Sequence, residues 1–346
     1  MASAFRPAWW LPGPHAQTLW AALLRRRVDS GWQGCKRERL TTPDGDFLDL
    51  DWHESAARGA SLVLLLHGLS GSSRSGYIVG LQQALAAYGF RSAALNFRGC
   101  SGEYNRTAWC YHSGETSDFD YVYRTIRRRE PQTPLAAVGF SLGGNVLLKW
   151  LGERREGADL FAAAAVSVPM VLNRCADRMD RGFSRLYRDQ LLGELKAYIH
   201  GKRLHLARIG AHREAERLER LGDLRPIRSF WEYDERVVAP LYGFRDALDY
   251  YRKSSSRQFL GAIRVPTLIV QAADDPFLTP DILPAPDELP AGICLEVSPA
   301  GGHVGFVAGS WPGRARYWLE ERIPAFLRQE SSGWGSQKAR LSVGVL

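Results

Sequence analysis

The chain has 346 residues, of which 45% are hydrophobic and 24% are charged. These proportions are typical of a globular protein and exclude a disordered or fibrous one, and a chain of this length can bury a large core. The net charge of +8 is accompanied by no nucleic-acid recognition motif, so we expect no nucleic-acid partner.

Strands and helices alternate in the first half of the chain. The aliphatic run at 62–66 (LVLLL) is typical of a strand that is buried on both faces. A helix is predicted at 77–88, a strand at 91–96, a second helix at 118–129 and a third strand at 135–140. This alternation predicts parallel strands joined by right-handed crossovers.

The second half of the chain contains a long interval with no strand-like run. Further strands are predicted at 161–169, 266–272 and 293–297. Amphipathic helices are predicted between them, at 185–199, 204–221 and 244–253. We interpret the region at about 171–260 as a helical lid beyond the carboxyl ends of the strands, where open α/β sheets bind their ligands. Helices that only pack against the sheet edge are the alternative interpretation.

The whole chain is predicted to form one domain and a tail. Residues 1–330 are expected to be a single unit, because folds built on one large sheet often exceed about 250 residues. Residues 331–346 (SSGWGSQKARLSVGVL) are expected to form a flexible, loosely ordered tail.

The sequence from Gly139 to Gly143 has the form G-x-S-x-G, with Ser141 at its centre. The pattern alone is common by chance. Here, however, the serine follows a predicted apolar strand and precedes a helical segment (NVLLKWLGE), which is the setting of a nucleophile elbow. We therefore predict that Ser141 is a nucleophile, and a glycine-rich turn without catalytic function is the alternative.

A serine nucleophile requires a base and an acid, which follow it in the chain in folds of this kind. His303 lies in a glycine-rich loop after the last predicted strand, whereas the other seven histidines precede the serine or lie in the predicted lid. Asp274 and Asp275 follow the penultimate strand, and only one of these neighbours can reach the histidine. We favour Asp275 as the acid and expect Asp274 to cap the following turn.

The oxyanion of an acyl-transfer intermediate requires preorganised N–H donors. We predict that these are the backbone N–H groups of Leu69 and Leu142. His67 is interpreted as a buried residue that orders its loop, and His15 and His112 as hydrogen-bonded structural residues. No cluster of side chains has metal-ligand spacing, so we expect neither a metal ion nor an organic cofactor.

Several longer motifs resemble one family. They are LPGPHAQTLW, HGLSGSSRSGY, NFRGCSGEYN, YHSGETSD, GFSLGGN, FWEYDERVVAPLYGFRDALDYYRKSS and ADDPF. The chain resembles the YheT-like α/β-hydrolases from Arg6 to about Phe326, and the eukaryotic relatives of this family are membrane-anchored ABHD-type lipid esterases. The resemblance implies an α/β-hydrolase fold, with a mostly parallel central sheet flanked by helices, and a catalytic triad on Ser141, Asp275 and His303. It also implies carboxylesterase or acylglycerol and phospholipid acyl-hydrolase activity.

The leading functional hypothesis is a serine hydrolase that cleaves carboxylic esters of short- to medium-chain acyl groups through an acyl-enzyme. The expected partner is a small-molecule or lipid ester, and the sequence predicts no particular oligomeric state. A thioesterase or amidase with the same triad is one alternative, because the nucleophile does not itself select the leaving group. A non-catalytic ligand-binding protein on the same fold is another.

The cysteines and the N-terminal segment bear on location. Five widely spaced cysteines without a C-x-x-C pair argue against a disulfide framework and fit a reducing compartment. We expect a cytoplasmic protein without a signal peptide or the membrane anchor of the eukaryotic branch. Trp9, Trp10 and Trp20, with the arginines at 25–27, suggest either weak peripheral membrane contact or packing on the core, and we favour packing.

Overall fold

A mostly parallel sheet forms the centre of the computed structural model, which describes residues 3–25, 34–53 and 59–343. Its strands are β1 (Cys35–Thr41), β2 (Phe47–His53), β3 (Leu62–Leu66), β4 (Arg91–Asn96), β5 (Leu135–Phe140), β6 (Ala162–Val166), β7 (Thr267–Ala272) and β8 (Ile293–Ser298). Their order is β1-β2-β4-β3-β5-β6-β7-β8, and β3 to β8 run parallel. A short antiparallel ribbon pairs β9 (Val307–Ala308) with β10 (Arg316–Tyr317). The prediction of a mostly parallel sheet is confirmed.

Helices cover both faces of this sheet. They are α1 (Gly13–Leu19), α2 (Gly76–Ala87), α3 (Ser117–Arg129), α4 (Leu142–Arg154), α5 (Leu172–Met179), α6 (Ser184–Arg208), α7 (His212–Glu219), α8 (Phe230–Tyr233), α9 (Ala239–Tyr242), α10 (Ala247–Ser254) and α11 (Leu319–Val343). Side chains of α3 and α4 pack on one face, and side chains of α2 and α11 pack on the other. The sheet is therefore the middle layer of three.

The aliphatic sequence of β3 follows from its position in the middle layer. Successive side chains of a strand point to opposite faces. Leu62, Leu64 and Leu66 pack in the cluster with α3 and α4, whereas Val63 and Leu65 pack in the cluster with α2 and α11. A strand that is covered on both faces must be apolar at every position.

The two antiparallel strands, β1 and β2, are not predicted from the sequence. Their segments are rich in charged residues, which are uncommon in strands. In the structure the charges pair across the two strands: Arg37 is opposite Asp51 with contacts of 2.8 and 2.7 Å, and Arg39 binds Asp49 at 2.8 Å. Cross-strand ion pairs of this kind allow a charged sequence to form a sheet.

Between β6 and β7, all regular secondary structure of the described residues is helical. We call residues 171–262 the helical insertion. Its helices α5 to α10 enclose a hydrophobic cluster of their own. The helices predicted at 185–199 and 204–221 divide differently, because α6 continues to Arg208 and the chain turns at Gly210, where φ is 76°. Helix α5 and the short helices α8 and α9 are not predicted. The π-helical turn Asp234–Val238 separates α8 from α9, and Pro240 lies in the first turn of α9. Both features interrupt the regular helical period on which a prediction from sequence depends.

The C-terminal segment differs from the expected loose tail. Helix α11 continues through residues 331–343, and residues 344–346 lie outside the described part of the chain. The hydroxyl groups of Ser331 and Ser332 donate to the carbonyl of Arg328. Trp334 packs against the hydrophobic cluster that α2 and α11 form with the sheet. These contacts continue the helix into the segment predicted to be a loose tail. In the part of the chain that the structure describes, no helix has the length and apolarity to span a bilayer.

Candidate active site

Ser141 lies on a sharp turn at the carboxyl end of β5. Its dihedrals, φ 51° and ψ −120°, are strained for a residue with a side chain, and α4 begins at the next residue. A Cβ atom at Gly139 would lie 2.4 Å from the carbonyl oxygen of Gly143, and one at Gly143 would lie 2.4 Å from the carbonyl oxygen of His67. Both glycines are therefore required by close backbone approach, and the turn exposes the serine hydroxyl at the sheet edge.

The structure brings Ser141, His303 and Asp275 together. His303 Nε2 lies 2.9 Å from Ser141 Oγ, and His303 Nδ1 lies 2.8 Å from Asp275 Oδ2. A carboxylate only accepts, so Nδ1 carries the proton and Nε2 is free to accept the serine hydroxyl proton. The ring of Phe277 stacks on the imidazole with 4.2 Å between ring centroids, which restricts its rotation.

The two adjacent aspartates have different partners. Asp275 also accepts the N–H of Phe277 at 2.8 Å, so this residue caps the turn that follows it. Asp274 accepts the N–H of Gly302 at 2.9 Å and thereby holds the loop that carries His303. The expectation that Asp274 caps the following turn is wrong, because its side chain points back to the histidine loop.

The N-terminal helix α1 supports the histidine loop, which sequence reasoning missed. Thr18 accepts the N–H of His303 at 2.9 Å through its hydroxyl oxygen. Buried Gln17 accepts the N–H of Val307 at 2.7 Å and donates to the carbonyl of Val307 at 3.1 Å. Both residues lie in the motif LPGPHAQTLW, whose polar residues were the available signal.

The turn after β3 abuts the serine. A Cβ atom at Gly68 would lie 3.2 Å from Ser141 Cβ, and both Leu69 and Leu142 line the same cavity as Ser141. Leu142 is the first residue of α4, where backbone N–H groups have no intrahelical partner. The N–H groups of Leu69 and Leu142 therefore lie on the two segments that flank the serine.

His67 orders the turn from within the core, as expected. Its Nδ1 donates to the carbonyl of Gly68 at 2.7 Å, and its Nε2 accepts the N–H of Phe97 at 3.2 Å. Complete burial lowers the pKa of His67 to about 4, so the ring is neutral at physiological pH. The hydroxyl of Tyr77 accepts the N–H of Gly68 at 2.8 Å and fixes the same turn.

Comparison with known proteins decides the family. The alpha/beta hydrolase fold family matches residues 61–310. YheT of Escherichia coli (strain K12) is 40% identical over 90% of this chain and 89% of its own length. The chain belongs to the YheT-like α/β-hydrolases. Phospholipase ABHD3 of Mus musculus is 28% identical over 82% of this chain and 69% of that protein.

The solved structure of esterase Pf2001 from Pyrococcus furiosus shares the fold. Its TM-score is 0.54 with 13% identity, and the match covers 89% of this chain and 94% of that chain. This structure and the family match confirm the predicted α/β-hydrolase fold, and the similarity to YheT confirms membership of the YheT-like family.

In this YheT-like hydrolase, Ser141 and His303 open onto a cavity of about 380 Å³. The cavity lies between the carboxyl edge of the sheet, the N-terminal segment and the helical insertion. Most of the side chains that line it are apolar, and those of the insertion include Leu172, Ala176, Met179, Leu191, Leu195, Ile199, Val237, Val238 and Leu241. A largely apolar cavity of this size is typical of a site for a small organic ligand.

The other two histidines of the family motifs are hydrogen-bonded, as expected. His15 Nδ1 lies 3.1 Å from the hydroxyl of Tyr187. His112 accepts the N–H of Gly114 at 3.1 Å, and burial lowers the pKa of His112 to about 4. Neither has Ser141 among its hydrogen-bond partners in the described structure.

The N-terminal tryptophans of this YheT-like hydrolase divide between core and surface. The rings of Trp10 and Trp20 pack edge to face with 4.6 Å between centroids, and both are partly buried against Ala8, Leu11 and Val307. Trp9 is 79% exposed. Arg25 is half-buried and its side chain forms an ion pair with Glu320, whereas the arginines at 26 and 27 lie outside the described residues.

Proposed function

We propose that this YheT-like protein is a serine hydrolase that cleaves carboxylic esters of short- to medium-chain acyl groups, as a carboxylesterase or acylglycerol lipase does. The observation that carries the proposal is the continuous hydrogen-bonded chain from Ser141 through His303 to Asp275, at 2.9 and 2.8 Å. The similarity to a protein named phospholipase ABHD3 supports an ester substrate.

In the proposed mechanism the hydroxyl of Ser141 attacks the ester carbonyl while His303 removes its proton. Asp275 keeps the imidazole in the required tautomer and stabilises the imidazolium that forms. The imidazolium then protonates the leaving alcohol, and an acyl-enzyme remains on the serine. Water, deprotonated by His303, attacks this acyl group, releases the carboxylic acid and restores the hydroxyl of Ser141.

The oxyanion of each tetrahedral intermediate needs donors that are already in place. We assign this role to the N–H groups of Leu69 and Leu142, which flank Ser141. Each such donor contributes about 3 kcal/mol of transition-state stabilisation in related chemistry. The neutral ring of His67 holds the first of these segments through Gly68.

The acyl group is assigned to the apolar part of the cavity, and the helical insertion to the role of a lid. The cavity volume of about 380 Å³ accommodates an acyl chain of short to medium length. All five cysteines are free, which supports a reducing, cytoplasmic location.

Hydrolysis of p-nitrophenyl esters from acetate to dodecanoate by the purified protein and by Ser141→Ala tests the proposal. We expect hydrolysis by the wild type and a loss of at least about a thousandfold in kcat for the variant. Labelling by a fluorophosphonate probe should also be lost in Ser141→Ala. Equal rates for the two proteins would refute the mechanism.

Acyl-CoA and anilide substrates of the same acyl chain length test the choice of leaving group. Faster turnover of either than of the ester would assign the protein as a thioesterase or an amidase. The absence of both labelling and turnover in a folded protein would indicate a ligand-binding role on the same fold.

A further inference from the structure

One carboxyl group lies in the wall of the largely apolar cavity. Asp234, in the motif FWEYDERVVAPLYGF, lines the same cavity as Ser141 and is only 8% exposed. It begins the π-helical turn Asp234–Val238, a rare geometry that is frequent at functional sites. Its Oδ2 accepts the hydroxyl of Tyr251 at 2.6 Å. The proposed hydrolysis gives this carboxyl group no role.

The second oxygen of Asp234 is left without a donor. In the described residues Oδ1 has no hydrogen-bond partner, and none of the described residues that line the cavity is lysine or arginine. Burial consequently raises the pKa of Asp234 to about 7. Because Asp234 lines the cavity, a carboxyl oxygen without a partner is an acceptor available to a ligand there.

In the part of the chain that the structure describes, the other buried aspartates accept hydrogen bonds through both carboxyl oxygens. Asp46 accepts from the side chains of Asn105 and Thr107 and from three backbone N–H groups. Asp51 accepts hydrogen bonds from the side chains of Arg37, Asn96 and Ser73. Asp118 accepts hydrogen bonds from Nε and Nη2 of Arg98. These groups stabilise the fold. The open oxygen of Asp234 therefore sets it apart from the other buried aspartates of the described residues.

We propose that Asp234, held in place by Tyr251, is a specificity-determining residue that accepts a hydrogen bond from a hydroxyl group of the ester substrate. The inference rests on the proposed ester hydrolysis and names the substrate class more closely: an ester that carries a free hydroxyl group. Substrates that are anionic within the cavity are disfavoured, because Asp234 repels them and the described lining residues offer no lysine or arginine.

A hydroxyl group fits the site better than a cation does. A hydroxyl can donate to Oδ1 of the ionised carboxylate, and it can instead accept from Oδ1 when the acid is protonated there, because Oδ2 already accepts the hydroxyl of Tyr251. A quaternary ammonium group gains from the site only when the acid is ionised. The hydroxyl has two possible sources, the alcohol portion of the ester or its acyl chain.

Three esters with one chain length distinguish these sources. They are propyl hexanoate, 2,3-dihydroxypropyl hexanoate and propyl 6-hydroxyhexanoate. We expect the wild type to prefer one hydroxylated ester over propyl hexanoate by about tenfold or more in kcat/KM. The preferred ester identifies whether the hydroxyl belongs to the alcohol or to the acyl chain.

The double variant Asp234→Leu/Tyr251→Phe tests the role of the carboxyl group. Removing both partners leaves no buried polar group unpaired, so the variant should fold, which its melting temperature verifies. We expect the ratio of kcat/KM for the preferred hydroxylated ester to that for propyl hexanoate to fall about tenfold. Asp177→Asn is the matched control, because Asp177 accepts from Trp231 in the same insertion without lining the cavity, and its ratio should equal that of the wild type.

The outcomes separate this inference from the proposed function. Hydrolysis of propyl hexanoate that depends on Ser141, with an unchanged ratio in the double variant, would overturn the role of Asp234 and leave the esterase intact. Faster hydrolysis of hexanoylcholine than of either hydroxylated ester would also overturn it, in favour of a cation site. No hydrolysis of any ester by the wild type would overturn both proposals.

Discussion

Two adjacent carboxylates support one imidazole in different ways. Asp275 contacts His303 Nδ1 directly, whereas Asp274 acts through the N–H of Gly302. The first contact fixes the tautomer that the proposed mechanism needs, and the second fixes only the loop. Their different contacts predict different consequences for the same chemical change.

Asp275→Asn should lower kcat by about four orders of magnitude, because an amide permits the wrong imidazole tautomer. Asp274→Asn should cost less than about tenfold, since one backbone hydrogen bond contributes about 1 kcal/mol. Steady-state kinetics with p-nitrophenyl hexanoate measure both effects. A larger loss for Asp274→Asn would assign it as the triad acid despite the geometry.

His67 predicts a dependence of stability on pH. Its pKa is about 4 in the folded protein and about 6.5 in the unfolded chain, so the unfolded chain binds more protons between these values. The stability contributed by the neutral ring is complete above pH 6.5 and is lost as the pH falls towards 4. Between pH 7 and 5 this loss is about 2 kcal/mol.

Urea unfolding of the wild type and of His67→Gln at pH 7 and 5 measures this contribution. Glutamine does not titrate, so the free energy of unfolding should change with pH by about 2 kcal/mol less in the variant. His112, whose pKa is also about 4, titrates in both proteins and cancels in the comparison. Equal pH dependence in the two proteins would contradict the assignment of a buried neutral ring to His67.

At the scale of elements, the turn between β5 and α4 depends on close backbone contact with the end of β3. A Cβ atom at Gly143 would lie 2.4 Å from the carbonyl oxygen of His67 and 2.7 Å from that of Leu66. The backbone at the end of a buried strand can shift only at a large cost in free energy. The contact also sets the distance between Ser141 and the segment that carries Leu69.

Gly143→Ala should therefore lower the free energy of unfolding by about 1–3 kcal/mol and reduce kcat as well. Gly193→Ala in α6 is the matched control, because a Cβ atom there meets nothing within 4 Å. This control should raise stability by about 0.5–1 kcal/mol and leave kcat unchanged. Denaturant unfolding and steady-state rates are the measurements, and a stable, fully active Gly143→Ala would contradict the close packing.

Sequence patterns predict the elements that are governed by local periodicity. The strands at 62–66, 91–96 and 135–140 lie where expected, because a buried parallel strand must be apolar along its length. The chain order also predicted Ser141 and His303 as partners, and the structure places their side chains 2.9 Å apart. Elements stabilised by distant partners were missed, as the ion-paired strands β1 and β2 show.

The support that α1 gives to the histidine loop was missed for the same reason. Thr18 and His303 are 285 positions apart, and no periodic signal joins them. The open oxygen of Asp234 is also a property of the assembled cavity. Such contacts follow only once the fold has brought separate segments together.

At the scale of the whole molecule, the cavity exists only because three parts of the chain meet. The carboxyl edge of the sheet supplies Ser141 and His303, the N-terminal segment supplies Leu19 and Ala22, and the insertion supplies most of the apolar wall. Neither the insertion nor the sheet alone would enclose an acyl chain. Substrate preference should therefore depend on residues far from the serine in sequence.

The kcat/KM for p-nitrophenyl esters should rise with each methylene group of the acyl chain until the cavity is full. Each buried methylene contributes about 0.8 kcal/mol, which corresponds to about fourfold per carbon. Beyond the capacity of about 380 Å³ the rate should level off or fall, because further carbons remain in water.

Ala176→Phe in α5 tests whether the insertion sets this limit. Ala176 lines the cavity, so a larger side chain there should reduce its volume and shift the optimum to shorter acyl chains. Acetate, which needs little of the cavity, should lose the least. Gly193→Ala lies outside the lining residues and should keep the wild-type optimum. If Ala176→Phe lowers the rates for all chain lengths equally, the acyl chain does not occupy the space beside α5, and the insertion does not determine chain length.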